Sequence, residues 1–345
     1  MPAPDGGADP GTEPAPDDAP GHLPVRGPLP VLQWAQERGE VGGVRTSHAQ
    51  LTSVLRAEGI PVSYVDTGSV RRAASMLPRL TRRSLHLLHL TRLWRAMLLA
   101  PAFAVLPGRS VLVLHSGSTG EQVERLTAWQ RRVLVLALYA YDEIWAVNDA
   151  IGAILPQTLR SRITVVTPFD SSAAPVPTPF AREPHALALA TNAGLPHYNA
   201  ELAIDAARLV RERWSDATLT VLAYGNDTPA VDALRRLAEV EPWLTVEFDS
   251  TADEVSALLS RVGTFLRPTS WDGDSVIVRE AQAAGATVVA SDTAPRPAGA
   301  VLAPLDARAL ATAVTEGGPV SDGAGLAQTT LAEAVRAAQS RVARR

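Results

Sequence analysis

From Ala186 to Asp292 the chain alternates short apolar runs with amphipathic ones. ALALAT, TLTVLAYG, TVEFD, TFLRPT and ATVVASD are separated by ELAIDAARLVRERW, PAVDALRRLAEV, ADEVSALLSRV and VIVREAQAAG. Runs that are apolar almost from end to end belong to strands buried on both faces, and the intervening pattern is helical. Strand–helix alternation of this kind requires a parallel sheet covered by helices on both sides. This excludes all-α and all-β folds for the C-terminal half.

The N-terminal half repeats the alternation less cleanly. PVLQW reads as a first strand, followed by the loop AQERGEVGG, a helix from Val44 to Glu58 closed by Gly59, and the strand PVSYVD. Further on, SLHLLHLTRLWRAMLL has leucines at helical spacing and is expected as one helix. SVLVLH (110–115) is a strand, ERLTAWQRRVLVLALYAY a helix, and EIWAVN (143–148) and RITVVTP (162–168) strands. SSAAPVPTPFAREP has linker composition. A chain of 345 residues exceeds what one hydrophobic core usually serves. The expected organisation is therefore an acidic Pro/Gly/Ala tail over 1–28, disordered because it cannot bury enough apolar surface, then a domain over 29–175, a second over 183–320 and a C-terminal helix over 321–345.

Composition removes several classes of function. A net charge of −4 gives no support to a nucleic-acid partner, and the absence of cysteine excludes disulfides and thiolate metal sites. MPAPDGGADPG lacks the basic and apolar regions of a secretory signal, and no apolar run approaches a membrane span, so a cytoplasmic protein is expected. All 32 basic residues are arginine, so a cation in any active site has to be arginine or histidine.

The segment Thr264–Asp292 carries the most chemistry. It reads as strand, polar loop SWDGDS, short helix closed by Gly285, and strand. A first helical turn leaves N–H groups unpaired and favours negative charge, so Gly273, Asp274, Ser275 and Val276 form a candidate phosphate cradle. Asp272 and Glu280, eight residues apart across it, can accept hydrogen bonds from sugar hydroxyls. Asp272-Gly-Asp274 also has the spacing of a divalent-cation site, but Asp274 stands where the helix N-cap belongs, and no metal is expected.

Two such α/β halves with this acid-x7-acid segment resemble the GT-B glycosyltransferases, with two Rossmann-like domains facing a cleft. Within them, the chain is most similar to the retaining, nucleotide-sugar-dependent family four type. The resemblance covers roughly residues 29 to 320. It rests on Pro268-Thr-Ser-Trp-Asp272-Gly273, Glu280-Ala281 and Gly285-Ala-Thr-Val-Val-Ala-Ser291, where Asp272 replaces the family's first Glu. The resemblance implies that Asp272 faces the donor sugar, that the amides of Gly273 to Val276 meet the diphosphate, and that Glu280 holds the ribose. Gly42 and Gly43 match the first-domain glycine loop, and His115, ending a strand, matches a histidine near the reacting sugar. The chain departs from the family after ALALAT. Where Gly-Arg and then Lys-Gly are usual, it has Thr191-Asn192 and His197-Tyr198-Asn199. Arg45 and Arg267 are the nearest candidate replacements for the missing cations.

The expected activity is transfer of a sugar from a UDP- or GDP-linked donor to a glycan, lipid-linked or small-molecule acceptor, with retention and without a metal. The alternatives are a GT-B-like protein that binds nucleotide or a partner without turnover, and a nucleotide-sugar epimerase. Between Thr67 and Gly120 there is no acidic residue and there are eight arginines. With the stripe Leu87, Leu90, Trp94 and Leu98, this suggests peripheral contact with an anionic membrane, at its inner face.

Overall fold

The computed structural model describes residues 28–35, 43–67, 83–173, 181–225 and 227–343. The expected tail up to residue 27 lies outside them, as do Gly42, Arg71, Arg72, Arg79 and Arg82.

The first domain contains β1 (Val31–Ala35), α1 (Gly43–Ala57), β2 (Val62–Asp66), β3 (Ser84–Leu90), α2 (Leu93–Phe103) and β4 (Gly108–Leu114). It continues with α3 (Thr119–Glu124), α4 (Ala128–Leu138), β5 (Glu143–Ala146), α5 (Asp149–Ile154) and β6 (Ile163–Val165). The second contains β7 (Glu183–Asn192), α6 (Ala200–Arg213), β8 (Thr218–Tyr224), α7 (Thr228–Val240), β9 (Leu244–Phe248), α8 (Ala252–Arg261) and β10 (Val262–Arg267). After these come α9 (Val276–Ala283), β11 (Thr287–Ser291), β12 (Val301–Ala303), α10 (Ala307–Glu316) and α11 (Leu331–Ala343).

Each domain has a six-stranded sheet with all pairs parallel, in the orders β2-β1-β3-β4-β5-β6 and β12-β11-β10-β7-β8-β9. The chain reverses its direction of travel across the sheet between β1 and β3 in the first, and between β7 and β10 in the second. In open α/β sheets, ligands bind beyond the strand C-termini at these switch points. The loops that end there are the ones singled out from the sequence.

Apolar side chains cover both faces of both sheets. In the second domain Leu187, Leu189 and Val221 meet α6 and α10 on one face, while Ala188, Phe265 and Val288 meet α8 and α9 on the other. In the first, Leu88, Leu112 and Ile144 pack under α2, α4 and α5. The opposite face, with Val31, Leu85, Val111 and Trp145, is closed by α1 and by the last helix of the chain. Thr167 accepts from Leu331 N–H and donates to Thr329, so α11 returns to the first domain. Arg341 pairs with Glu143 at 2.8 Å, and Arg336 with Glu58.

Two sequence expectations are corrected. Residues 84–99 do not form one helix: Ser84–Leu90 is the strand β3, buried at every position between β1 and β4, and the helix begins at Leu93. Leucines at 85, 87, 88 and 90 suit either period, and hydrogen bonding to strands on both sides decides for the strand. The stretch 124–141 is not helical throughout: Glu124 ends α3, and Thr127 and Gln130 form a reciprocal capping box that starts α4, which runs only to Leu138. The strand β12 and helix α10 have no counterpart in the sequence reading.

Candidate functional site

The two domains meet where the β4 loop touches the β10–α9 loop. A Cβ placed on Gly117 would lie 2.1 Å from the Asp272 carbonyl oxygen, and one on Gly273 2.3 Å from the carbonyl oxygen of His115. Only glycine lets these two backbones approach so closely. On the same seam Thr167 donates to Asp274 at 2.8 Å, and Gln50 Nε2 lies 3.5 Å from Glu280 Oε1.

This docking brings two helix N-termini together. Gly43 is the first residue of α1, and its face without a side chain lies against Val276, the first residue of α9, whose nitrogen would be 3.9 Å from an added Cβ. Ser275, the N-cap of α9, makes no side-chain cap bond. Two sets of first-turn N–H groups therefore converge on one place, each with the positive end of its helix dipole. Asp274 is not the N-cap expected from the sequence. It is buried, accepting from Arg279 Nε at 2.7 Å as well as from Thr167, and so ties α9 to the first domain.

The two acids of the segment occupy opposite environments. Asp272 Oδ2 receives hydrogen bonds from Arg267 Nε and Arg296 Nη1, both at 2.8 Å, and Oδ1 one from Arg267 Nη2 at 3.3 Å. Burial alone would raise this carboxyl, but the two guanidiniums outweigh it and hold it well below the usual carboxylate range. Arg296 is 2% exposed and is completed by Ser291 and Thr269. Arg267 is 7% exposed, and Tyr198 lies against its guanidinium at 4.9 Å. Arg267, expected as a candidate cation for the leaving phosphate, has its charge held inside, on Asp272. Both carboxylate oxygens of Asp272 accept from arginines.

Glu280 is half-buried, with no cation at hand among the described residues. Burial pushes its carboxyl up from 4.5 to about 7.

Where the family usually places a Lys, His197 stacks on Trp271 with ring centres 3.7 Å apart. Burial, and after it the Arg267 charge, bring His197 down to about 4, so it is neutral. Asn199, in the left-handed conformation at φ 50°, donates to the Pro268 carbonyl and to Ser270. Stacking and amide bonds thus fix the loop after β7 to the loop after β10.

On the first-domain side, His115 Nε2 lies 3.0 Å from His89 Nδ1, and His48 lies edge-on to His89. Burial is the main reason His48 is lowered to about 4 and His115 to about 3, so both rings are neutral; for His48 the nearby Arg45 charge adds to it. Arg45 is exposed on the first turn of α1. Of the residues expected from the sequence, Gly43, Ser275, Val276, Glu280, Gly273 and His115 come together at the seam. Arg296, Gln50, Thr167 and His89 were not anticipated. Arg296 comes from a Pro-rich loop 24 residues beyond its partner, and no local pattern marks it.

Residues 186–316, within the second domain, match the family model Glycosyl transferases group 1. No curated protein sequence matches the chain. Among solved structures, HepE of Anabaena in complex with UDP and glucose is similar at 14% identity with a TM-score of 0.61, over 92% of this chain and 98% of that one. WaaG, a glycosyltransferase involved in lipopolysaccharide biosynthesis, is similar at 14% identity and a TM-score of 0.54, over 91% and 95%. Sucrose-phosphate synthase from Thermosynechococcus elongatus gives 13% and 0.57, over 91% and 94%. The chain thus has the GT-B fold of these glycosyltransferases, and its second domain carries the group 1 sequence pattern.

Proposed function

We propose that the cleft binds a nucleotide sugar, UDP- or GDP-linked, and transfers its hexosyl group with retention to an acceptor held by the first domain. The observation that carries this reading is the meeting of two helix N-termini at Gly43 and Val276 beside a desolvated, unpaired Glu280. The converging amides suit a diphosphate, and Glu280 suits a pair of ribose hydroxyls. In this reading the first domain contributes His115, near the reacting sugar, and Arg45, as the cation that closes on the leaving phosphate. Arg267 and Arg296 around the single charge of Asp272 leave one net positive charge at the base of the loop, which further favours an anion. Because Asp272 and Asp274 both direct oxygens to arginine, the phosphate charge is met by amides and arginine rather than by a metal. HepE, solved with UDP-glucose, supports the choice of donor class.

A second reading, nucleotide binding without turnover, is favoured by the neutral His197 and the buried Arg267 where reaching cations are usual. Release of free UDP or GDP from the corresponding sugars, followed with a panel of acceptors, decides between the two. Release that depends on acceptor, with the anomeric configuration kept, is the expected result. Tight nucleotide binding with no release from any donor would establish the second reading.

A further inference from the structure

The helices α2 and α4 lie side by side on the same face of the first sheet, sharing one apolar core beneath them. Their outer faces are uncovered. Trp94 and Leu98 on α2 are 50% and 68% exposed, and Trp129 and Leu136 on α4 are 71% and 72% exposed. Val105, just past α2, is 80% exposed. These positions follow helical spacing, so they form two parallel stripes rather than scattered exposures. An apolar surface of this extent on a water-soluble domain marks a place of contact.

Its charge is one-sided. Neither helix contains an acidic residue, whereas Arg95 stacks over Trp94 and Arg131, Arg132, Val135 and Leu136 border an open hollow. Arg125 is balanced by Glu121 and Arg109 by Glu143, so the positive charge of the face comes from Arg131 and Arg132 on α4 and Arg92 and Arg95 at the start of α2, in a chain whose net charge is −4. Two copies of this face would set like charges against each other, which disfavours a symmetric dimer. Exposed tryptophans beside arginines, on convex helix faces, match the boundary of an anionic bilayer: rings at the headgroup level, guanidiniums on lipid phosphates.

The face also leads to the cleft. Trp94 lies four residues beyond Leu90, the end of β3, whose carbonyl accepts from the His115 backbone N–H. We propose that the α2–α4 face docks on an anionic membrane surface and sets the first-domain side of the cleft at the lipid boundary. If the transfer reading holds, on which this last step rests, the acceptor is amphiphilic and reaches the cleft from the membrane.

The test is sedimentation of the full chain with vesicles of phosphatidylcholine, with and without about one-third phosphatidylglycerol. Binding is expected only to the anionic vesicles and is released as salt rises. Replacing both Arg131 and Arg132 by Gln should weaken it about thirtyfold. Trp94→Ser with Trp129→Ser should weaken it about tenfold, while both variants keep the wild-type melting temperature. Equal binding to both vesicle types, binding to neither, or unchanged binding by the folded variants would overturn the proposal. So would a solution dimer that the same substitutions dissociate. Vesicle binding is read without any donor, so failure of transfer leaves it standing. Conversely, transfer to a water-soluble acceptor can survive its loss.

Discussion

Around Asp272 the buried space is crowded with charge: two guanidiniums, three hydrogen bonds from them and a carboxyl held low. Around Glu280, at the far side of α9's first turn, the same kind of group has, among the described residues, the amide of Gln50 at 3.5 Å and a carboxyl raised to about 7. The two acids have equal charge, and the sequence pattern treats them as a pair. Their surroundings separate them. Asp272 ties the loop after β10 to Arg267 and Arg296, and Glu280 is the acid that the proposed function assigns to the ligand.

The sharpest way to break this contrast is to remove the charge at Asp272. Asp272→Asn leaves Arg267 and Arg296 buried without their counter-charge, which should cost about 3–5 kcal/mol in denaturant unfolding. Wild-type stability in that variant would mean that the ion cluster holds nothing together. A smaller effect, about 1–3 kcal/mol, is expected when the glycine seam is filled. Gly117→Ala places a Cβ against the Asp272 carbonyl, so the domains should separate and the radius of gyration rise in small-angle scattering. An unchanged radius would show that the seam relaxes without opening.

A third effect concerns pH. The folded protein keeps the Glu280 proton up to about 7, whereas the unfolded chain loses it near 4.5. Between those values the folded state binds more protons, so stability should fall as pH rises through this window and level off above it. At about 1.4 kcal/mol for each pH unit between those values the change is about 3 kcal/mol at most, lessened by solvent at this half-buried site, and Glu280→Gln should abolish that part of the slope. A slope identical in wild type and variant would place the titration elsewhere.

Much of the second domain was legible because its strands are apolar on both faces and its helices are punctuated by caps and by Gly285. The first domain was harder to read, for definite reasons. SLHLLHL has a leucine pattern that satisfies both periods, and only its pairing with β1 and β4 makes it a strand. The exposure of Trp94 and Leu98, half of the expected stripe, became visible only once Leu87 and Leu90 were placed inside the sheet. At the site, the strand–loop–helix order that puts residues 273–276 at a helix start and Glu280 within the helix could be read from the sequence. The fate of Asp272 could not, because it depends on Arg296, whose approach is a tertiary event. The return of α11 to the first domain is of the same kind, since an amphipathic helix does not state which sheet it covers.

Titration calorimetry of UDP and GDP into wild type and Glu280→Gln at pH 8, where the wild-type carboxyl is ionised, tests the central claim most directly. Losing a charged acceptor for ribose hydroxyls should weaken binding by about 1.5–3 kcal/mol, roughly tenfold to a hundredfold, in a variant at least as stable as wild type. Equal affinity in the folded variant, or no binding of either nucleotide to the wild type, would contradict it.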